Sequence, residues 1–340
     1  MIEHYIRGFE EELREIRHQI HENPELGLQE FKTSALVAEK LRQWGYEVEQ
    51  GLATTGVVAT LKVGDGEKSI GLRADMDALP IYENSGKPWA SKHPGLMHAC
   101  GHDGHTTILL GAARYFAETR RFNGTLRLIF QPAEEMINGG EIMVKEGLFD
   151  RFPCDVIFGM HNMPGLPVGK FFFQPGALMA SMDQFHITVR GCGGHGAIPH
   201  IAAHITTALQ SIVSRNVDPL EAAVITVGSI VAGEAANVIP DSAEMKISVR
   251  SLSRDTRQLL LTRIPALAQA QAASFGATAE VTHVNGTPVL VNDEEMARFA
   301  WQVACKTFGE DRAEFGIKPL MGSEDFSFML EAQRRFPVIR

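Results

Sequence analysis

Three short apolar runs, IGLR (70–73), LRLIF (126–130) and VIFGM (156–160), each give way to side chains that bind cations or protons. Asp75 and Asp77 follow the first, Glu134 and Glu135 the second, and His161 the third. Around these runs the apolar spacing is helical, over roughly 2–22, 30–45, 104–119 and 139–147. Strands are expected on either side of the turn Gly64–Gly66, then over 124–135 and 155–164. Strands alternating with helices specify an α/β layered sheet. Ligands of such sheets bind beyond the carboxyl ends of the strands. The three runs are therefore expected to aim Asp, Glu-Glu and His at one rim.

The pattern changes near Met182. A strand at 184–190, a helix at about 199–214, strands at 222–231 and 242–252, a helix at 253–275 and a strand at about 278–285 follow in order. This β-α-β-β-α-β order resembles a ferredoxin-like sandwich inserted into the first domain. The expected division is 1–182 with 291–340 as the α/β metal-binding domain, and 183–290 as the insert. A chain of 340 residues with 44% hydrophobic content suffices for two cores. A net charge of −9 argues against a nucleic acid as main partner. No apolar run approaches the ~20 residues of a membrane span. The four cysteines lie far apart without a C-x-x-C pair, which fits a reducing compartment, the cytoplasm by default.

The stretch LMHACGHDGHTT (96–107) joins the strand ends. It supplies Cys100, His102, Asp103 and His105, with His98 shaping the loop. Cys100, His102, one of Glu134 and Glu135, and His161 make a thiolate, imidazole and carboxylate set. That set suits Zn, Mn, Co or Ni better than Ca or Mg. Of two adjacent glutamates, one can hold a metal while the other faces the attacking water as general base. Each residue alone has a plainer reading: a solvated Glu-Glu turn, a structural histidine, a small buried cysteine, aspartate turn caps. Asp77 could instead receive the second N–H of a ligand histidine. In the insert, GCGGHGAIPH (191–200) sets His195 among glycines, Asn237 could donate to an oxyanion, and Arg250 could hold a carboxylate. A thiol hydrolase with Cys100 as nucleophile is a separate possibility, and it would survive chelation.

Eight segments in order, HENPELGLQE (21–30), GLRADMDALPI (71–81), MHACGHDGHT (97–106), FQPAEE (130–135), GMHN (159–162), GGHGAIPH (193–200), NVIPD (237–241) and MGSEDF (321–326), resemble the M20 metallopeptidase family. The likeness is greatest to its branch of hippurate hydrolases and N-acyl-amino-acid amidohydrolases. The resemblance implies a Zn-peptidase-like catalytic domain with a mixed sheet and a ferredoxin-like α+β lid and dimerisation domain. It implies two divalent metal ions, an N-acyl-amino-acid substrate, a homodimer through the insert, and neither nucleic acid nor membrane as partner. Carried over by residue, Cys100, His102, Glu135 and His161 match metal ligands and Glu134 the general acid/base. His195 matches a histidine that steadies the oxyanion, Asn237 and Arg250 match substrate-binding positions, and Asp77, Asp103 and His105 support the ligands.

Two departures qualify this. The family pattern continues into a further ligand histidine, whereas no histidine follows His283 here. The tail QRRFPVIR resembles a truncation or frameshift, which implies an impaired second metal site. The stretch IAAHIT after Pro199-His200 is also shorter than the family pattern. An inactive relative, or a dipeptidase or deacylase of another branch, are therefore the alternatives. Against the latter, Cys100 marks the amidohydrolase branch.

Overall fold

The structure, a computed structural model, describes residues 2–191, 200–233 and 240–333. The chain divides into two compact units, Met1–Leu166 with Phe328–Arg340, and Pro167–Ser327.

The first unit opens with helices α1 (Ile2–Arg7), α2 (Glu10–Glu22) and α3 (Phe31–Gln43). The expected single helix over 2–22 is interrupted at Gly8, a poor helix former, where turn bonds Gly8 N–H to Tyr5 C=O and Phe9 N–H to Ile6 C=O replace the helical ladder. Strands β1 (Glu47–Leu52), β2 (Gly56–Val63) and β3 (Ser69–Asp75) follow, then α4 (His102–Thr119) and β4 (Gly124–Gln131). Short helices α5 (Glu134–Ile137), α6 (Gly139–Lys145) and α7 (Leu148–Arg151) lead to β5 (Val156–Gly159).

The sheet order is β1-β2-β4-β3-β5. β4 thus lies between β2 and β3, so the strands flanking the Gly64 turn are not partners. β1 with β2 and β2 with β4 run antiparallel, while β3 pairs parallel with both β4 and β5. The carboxyl ends of β3, β4 and β5 therefore share one rim. So does the start of β2, since Val57 lies opposite Phe130. Val57, Ala59, Leu126, Leu128 and Phe130 pack against Ile16 and Ile20 of α2, Val37 and Leu41 of α3, and Leu110 and Ala113 of α4. Burying each large aliphatic or aromatic chain contributes about 1.5–3 kcal/mol. This core anchors the strand ends that carry the polar cluster.

The second unit contains β6 (Phe171–Phe173), β7 (Gly176–Met179), β8 (Ser181–Arg190), α8 (His200–Arg215), β9 (Ala223–Val231), β10 (Ser242–Ser251), α9 (Arg254–Ser274) and β11 (Thr278–Thr287). Then come β12 (Leu290–Asn292), α10 (Glu294–Phe308) and β13 (Ala313–Phe315). The final helix, α11 (Phe326–Gln333), ends the described chain.

Its four-stranded sheet has the order β11-β8-β10-β9, all antiparallel. With one helix after β8 and one after β10, this is the ferredoxin-like arrangement. β8 buries alternate residues Phe185, Ile187 and Val189, and β10 buries Met245, Ile247 and Val249. α8 covers that face with Ile205, Leu209 and Ile212, and α9 with Leu260, Ile264, Ala268 and Ala272 at helical spacing. β6 pairs with β13 and β7 with β12 in two small ribbons. Among the described residues no helix is long and apolar enough to cross a membrane.

Candidate metal centre

The rim of the first sheet carries the cluster. Gly101 starts it: its φ of +90° turns the chain into α4, leaving Cys100 before the turn and His102 as the first helical residue. A Cβ at Gly101 would lie 2.4 Å from Asn162 Oδ1, so the Cys100 loop and the His161 loop touch only because this residue is glycine. Cys100 Sγ sits 3.4 Å from His161 Nε2. The Nδ1 of His161 donates to the Asn162 carbonyl at 2.5 Å, which leaves Nε2 as the ring's acceptor.

His102 is fully buried. Its Nδ1 donates to Asp77 Oδ1 at 3.1 Å, while Nε2 stands 3.8 Å from Glu135 Oε1 and 3.8 Å from Asp75 Oδ2. Asp77 also accepts from the Glu135 N–H through Oδ2 at 2.9 Å. One carboxylate thereby orients the imidazole and the start of the glutamate helix together. Glu134 and Glu135 occupy α5, bracketed by two non-glycine residues at positive φ, Ala133 (+55°) and Asn138 (+56°). Such conformations cost on the order of 1–3 kcal/mol each and persist where surrounding contacts enforce them.

The ligand-type atoms of Cys100, His102 and His161 lie within 4.8 Å of one another, and so do those of His102, Glu134 and Glu135. Both of these groups include His102, as does a third, Asp75 with His102 and His105. Within this cluster the buried atoms His102 Nε2 and Glu135 Oε1 have no hydrogen-bond partner. Unpaired buried polar atoms cost about 1–3 kcal/mol each. A cation between them satisfies both, and the mixed thiol, imidazole and carboxylate set suits a borderline transition metal. The residues present fit such an ion.

Electrostatics agree. Burial opposes charge on His102, but Asp75 and then Asp77 outweigh it and hold its pKa well above the ordinary value. Burial pushes the Glu135 carboxyl and the Cys100 thiol up. A bound cation inverts that balance, since a ligating thiol or imidazole surrenders its proton. The raised thiol also argues against Cys100 as a nucleophile, which needs a lowered pKa.

Asp75, read from sequence as a strand-end residue at the rim or a turn cap, is fully buried and central. Burial opposes its ionisation, yet Arg73, then His102 and His105, hold it well below the carboxylate range. Arg73 Nη1 donates to Asp75 Oδ2 at 2.8 Å, and its Nε donates to Gln131 at 2.9 Å. Strand alternation puts Arg73 and Asp75 on one face, a signal legible in IGLRAD. His105 donates from Nδ1 to Asp75 Oδ1 at 2.6 Å and accepts the Asn162 N–H at Nε2 at 3.0 Å. Both its ring nitrogens are occupied. Asp103 turns away, toward α2, accepting from His21 Nδ1 and Arg17 Nε, both at 3.0 Å. His98 is buried with neither ring nitrogen hydrogen-bonded, and burial pulls its pKa down to about 4, so it is neutral. Sequence reasoning missed His21 and Glu30, whose partners lie on distant segments, and Arg73, which pairs with Asp75 two residues on and with Gln131 on the adjoining strand.

In the second unit, Arg250 on β10 donates to the Met321 carbonyl at 2.6 Å. His195 and Asn237 lie outside the described residues.

The peptidase family M20/M25/M40 matches residues 71–339, which include every member of this cluster. The chain belongs to that family. Hippurate hydrolase of Campylobacter jejuni is 48% identical over 330 residues, 95% of this chain and 86% of that protein. N-acetyl-L-cysteine deacetylase of Bacillus subtilis is 39% identical over 95% of this chain and 78% of its own length. The crystal structure of the Bacillus subtilis YXEP protein, described as a dinuclear metal-binding peptidase of the M20 family, superposes with a TM-score of 0.83 at 35% identity. That match covers 96% of this chain and 86% of the YXEP chain. M20 membership agrees with the α/β catalytic unit and the ferredoxin-like insert expected from the sequence.

Proposed function

We propose that this protein is a metal-dependent amidohydrolase that cleaves the amide bond of N-acyl-amino acids, hippurate-like or N-acetylated, to a carboxylic acid and a free amino acid. The observation that carries this reading is the meeting of two donor groups at His102, with His102 Nε2 and Glu135 Oε1 buried and unpartnered. The hippurate hydrolase and deacetylase relatives support the substrate class.

In this reading Cys100, His102, Glu135 and His161 hold two divalent ions of the Mn, Zn, Co or Ni kind. Bound ions supply Lewis-acid polarisation of the scissile carbonyl and a lowered pKa for the attacking water. Asp77 fixes the His102 tautomer so that Nε2 is the ligating atom. His105 holds Asp75, and Asp103 ties the start of α4 to α2. Glu134, beside the ligand Glu135, takes the proton of the attacking water and returns it to the departing amine. His195 steadies the oxyanion, and Asn237 and Arg250 bind the substrate carboxylate end. Residues 183–290 act as the lid and dimerisation domain of a homodimer. The free thiols of Cys100, Cys154 and Cys305 suit a cytoplasmic protein.

Metal analysis with hippurate and N-acetyl-amino-acid hydrolysis tests the reading. Chelation should abolish turnover, and Mn, Zn, Co or Ni should restore it with two ions bound. Turnover that survives chelation would point to thiol chemistry. A single ion without turnover would point to an inactive relative.

A further inference from the structure

The segment HENPELGLQE has no role in the chemistry above, yet it touches the cluster's supports at several points. His21 binds Asp103 at 3.0 Å. Glu25 C=O accepts the Ala78 N–H at 2.8 Å, and Leu26 bridges to Ala78, the residue after Asp77. Its last residue reaches furthest. Glu30 is fully buried beneath the glutamate loop. Its Oε1 accepts the Ala133 N–H at 2.9 Å, and its Oε2 accepts the Thr55 hydroxyl at 2.6 Å.

Ala133 is the residue whose φ of +55° aims Glu134 and Glu135 off the end of β4. It is fully buried, and its carbonyl accepts the Gly139 N–H at 2.9 Å. From the other side Gly27 closes on it: a Cβ at Gly27 would stand 2.9 Å from Ala133 Cβ and 3.0 Å from its Cα. The same ten-residue segment thus grips one strained residue twice, with an acceptor for its N–H and with a glycine that leaves room for its side chain.

We infer that Glu30 is a positioning residue for the reaction: through its bond to the Ala133 N–H, with Gly27 opposite, it holds the left-handed turn that orients Glu134 toward the substrate. This inference rests on the proposed role of Glu134 as proton carrier. A carboxylate, and not an apolar residue, occupies this buried position because two donors, one main-chain and one hydroxyl, must be satisfied together. Burial pushes the Glu30 carboxyl above its ordinary value, so glutamine is a close replacement. Its amide oxygen can accept from Ala133 while its NH2 donates to Thr55.

The test compares E30A, E30Q, G27A and E134Q in the 340-residue chain loaded with metal. Misplacing a reacting group by about 1 Å costs about a hundredfold in rate. E30A is expected to lose ten- to a hundredfold in kcat on this scale, with KM close to wild type. E30Q should restore kcat. G27A pushes on Ala133 at 2.9 Å and meets Asp77 Oδ2 only at an ordinary 3.7 Å; it should show the same kcat-selective loss, so the inference stands or falls even if E30A fails to fold. Hydrogen exchange read without substrate, in a peptide spanning 131–139, should quicken in E30A and G27A but not in E30Q. Wild-type kcat and unchanged exchange in E30A or G27A, with E134Q inactive, would overturn the inference alone. So would an E30Q as slow as E30A, because charge and not the hydrogen bond would then matter. An active E134Q would remove the proton-carrier reading and this inference with it. If the wild type hydrolyses no N-acyl-amino acid, the exchange pattern alone decides whether Glu30 holds the turn.

Discussion

Replacing Asp77 by asparagine is the most informative single change at the cluster. Asp77 is buried and spends both oxygens: Oδ1 accepts from His102 Nδ1 at 3.1 Å and Oδ2 from the Glu135 N–H at 2.9 Å. Asparagine is nearly the same size but has one acceptor. If its NH2 faces Glu135, donor meets donor and a buried N–H loses its partner, a cost of about 1–3 kcal/mol. If its NH2 faces His102, the imidazole must accept at Nδ1, and the proton moves to Nε2, the atom aimed at Glu135. That tautomer cannot ligate. Either outcome should weaken metal binding by about ten- to a hundredfold, or about 1.4–2.7 kcal/mol. Asp77→Ala, which removes the conflict along with both acceptors, should bind metal no worse than Asp77→Asn. Competition with a chromophoric chelator for Co or Zn measures both, alongside melting curves to confirm folding. An Asp77→Asn protein that binds metal as tightly as wild type would refute the assignment of His102 Nε2 as the ligating atom.

Two further outcomes follow from the same contacts. The hydrogen bond to Asp103 raises the His21 pKa above 6.5, against the effect of burial. Burial works against ionised Asp103, but His21, His98 and Arg17 hold its pKa at about 2. The His21 contribution is complete below about pH 6.5 and fades as pH rises through the higher folded value. The Asp103 contribution is complete above roughly pH 4 and fades as pH falls through the lower one. The stability gap between wild type and Asp103→Asn, measured by chemical denaturation, should therefore be widest between roughly pH 4 and 6.5. A gap constant from acid to alkaline pH would refute this. Gly101→Ala should cost about 1–2 kcal/mol for the left-handed backbone alone, with more from the Cβ placed 2.4 Å from Asn162 Oδ1. Urea titration measures it, and an unchanged midpoint would show that the Cys100 and His161 loops do not depend on that close approach.

Much of this architecture is visible in the sequence, because burial on both faces makes the parallel strands apolar along their length and polar where they stop. IGLR, LRLIF and VIFGM are strands for that reason, and Asp75, Glu134 and His161 mark their ends. The insert was equally legible: β8 and β10 alternate buried and exposed residues, and α9 repeats Leu260, Ile264, Ala268 and Ala272. β1 escaped notice because EVEQGL is an edge strand whose side chains are mostly exposed, so it has no hydrophobic period to detect. The insertion of β4 between β2 and β3 is also silent, since sheet order depends on which faces bury most and not on chain order. Within the cluster, Cys100, His102 and the two glutamates stand out by residue type. Glu30 does not. Its partners Thr55 and Ala133 lie 25 and 103 residues away, and nothing local distinguishes a buried carboxylate from a helix cap.

The division of labour at the rim accounts for which polar residues are ligand candidates and which are scaffold. Asp75, Asp77 and His105 stand as close to the cluster as Glu135 does, yet their side-chain acceptors and donors are committed to Arg73, His102, the Glu135 N–H and the Asn162 N–H. His102 Nε2 and Glu135 Oε1 are not committed. A buried site that satisfied every atom internally would hold a cation poorly, since each ligand would first have to break a hydrogen bond. A site that left its supports unsatisfied would let the ligands swing. Here Asp75, Asp77 and His105 are committed while His102 Nε2 and Glu135 Oε1 are open, which is the arrangement a preorganised metal site requires. The same logic extends one layer outward to Glu30, which saturates the backbone of Ala133 and leaves the two glutamates after it to face the chemistry.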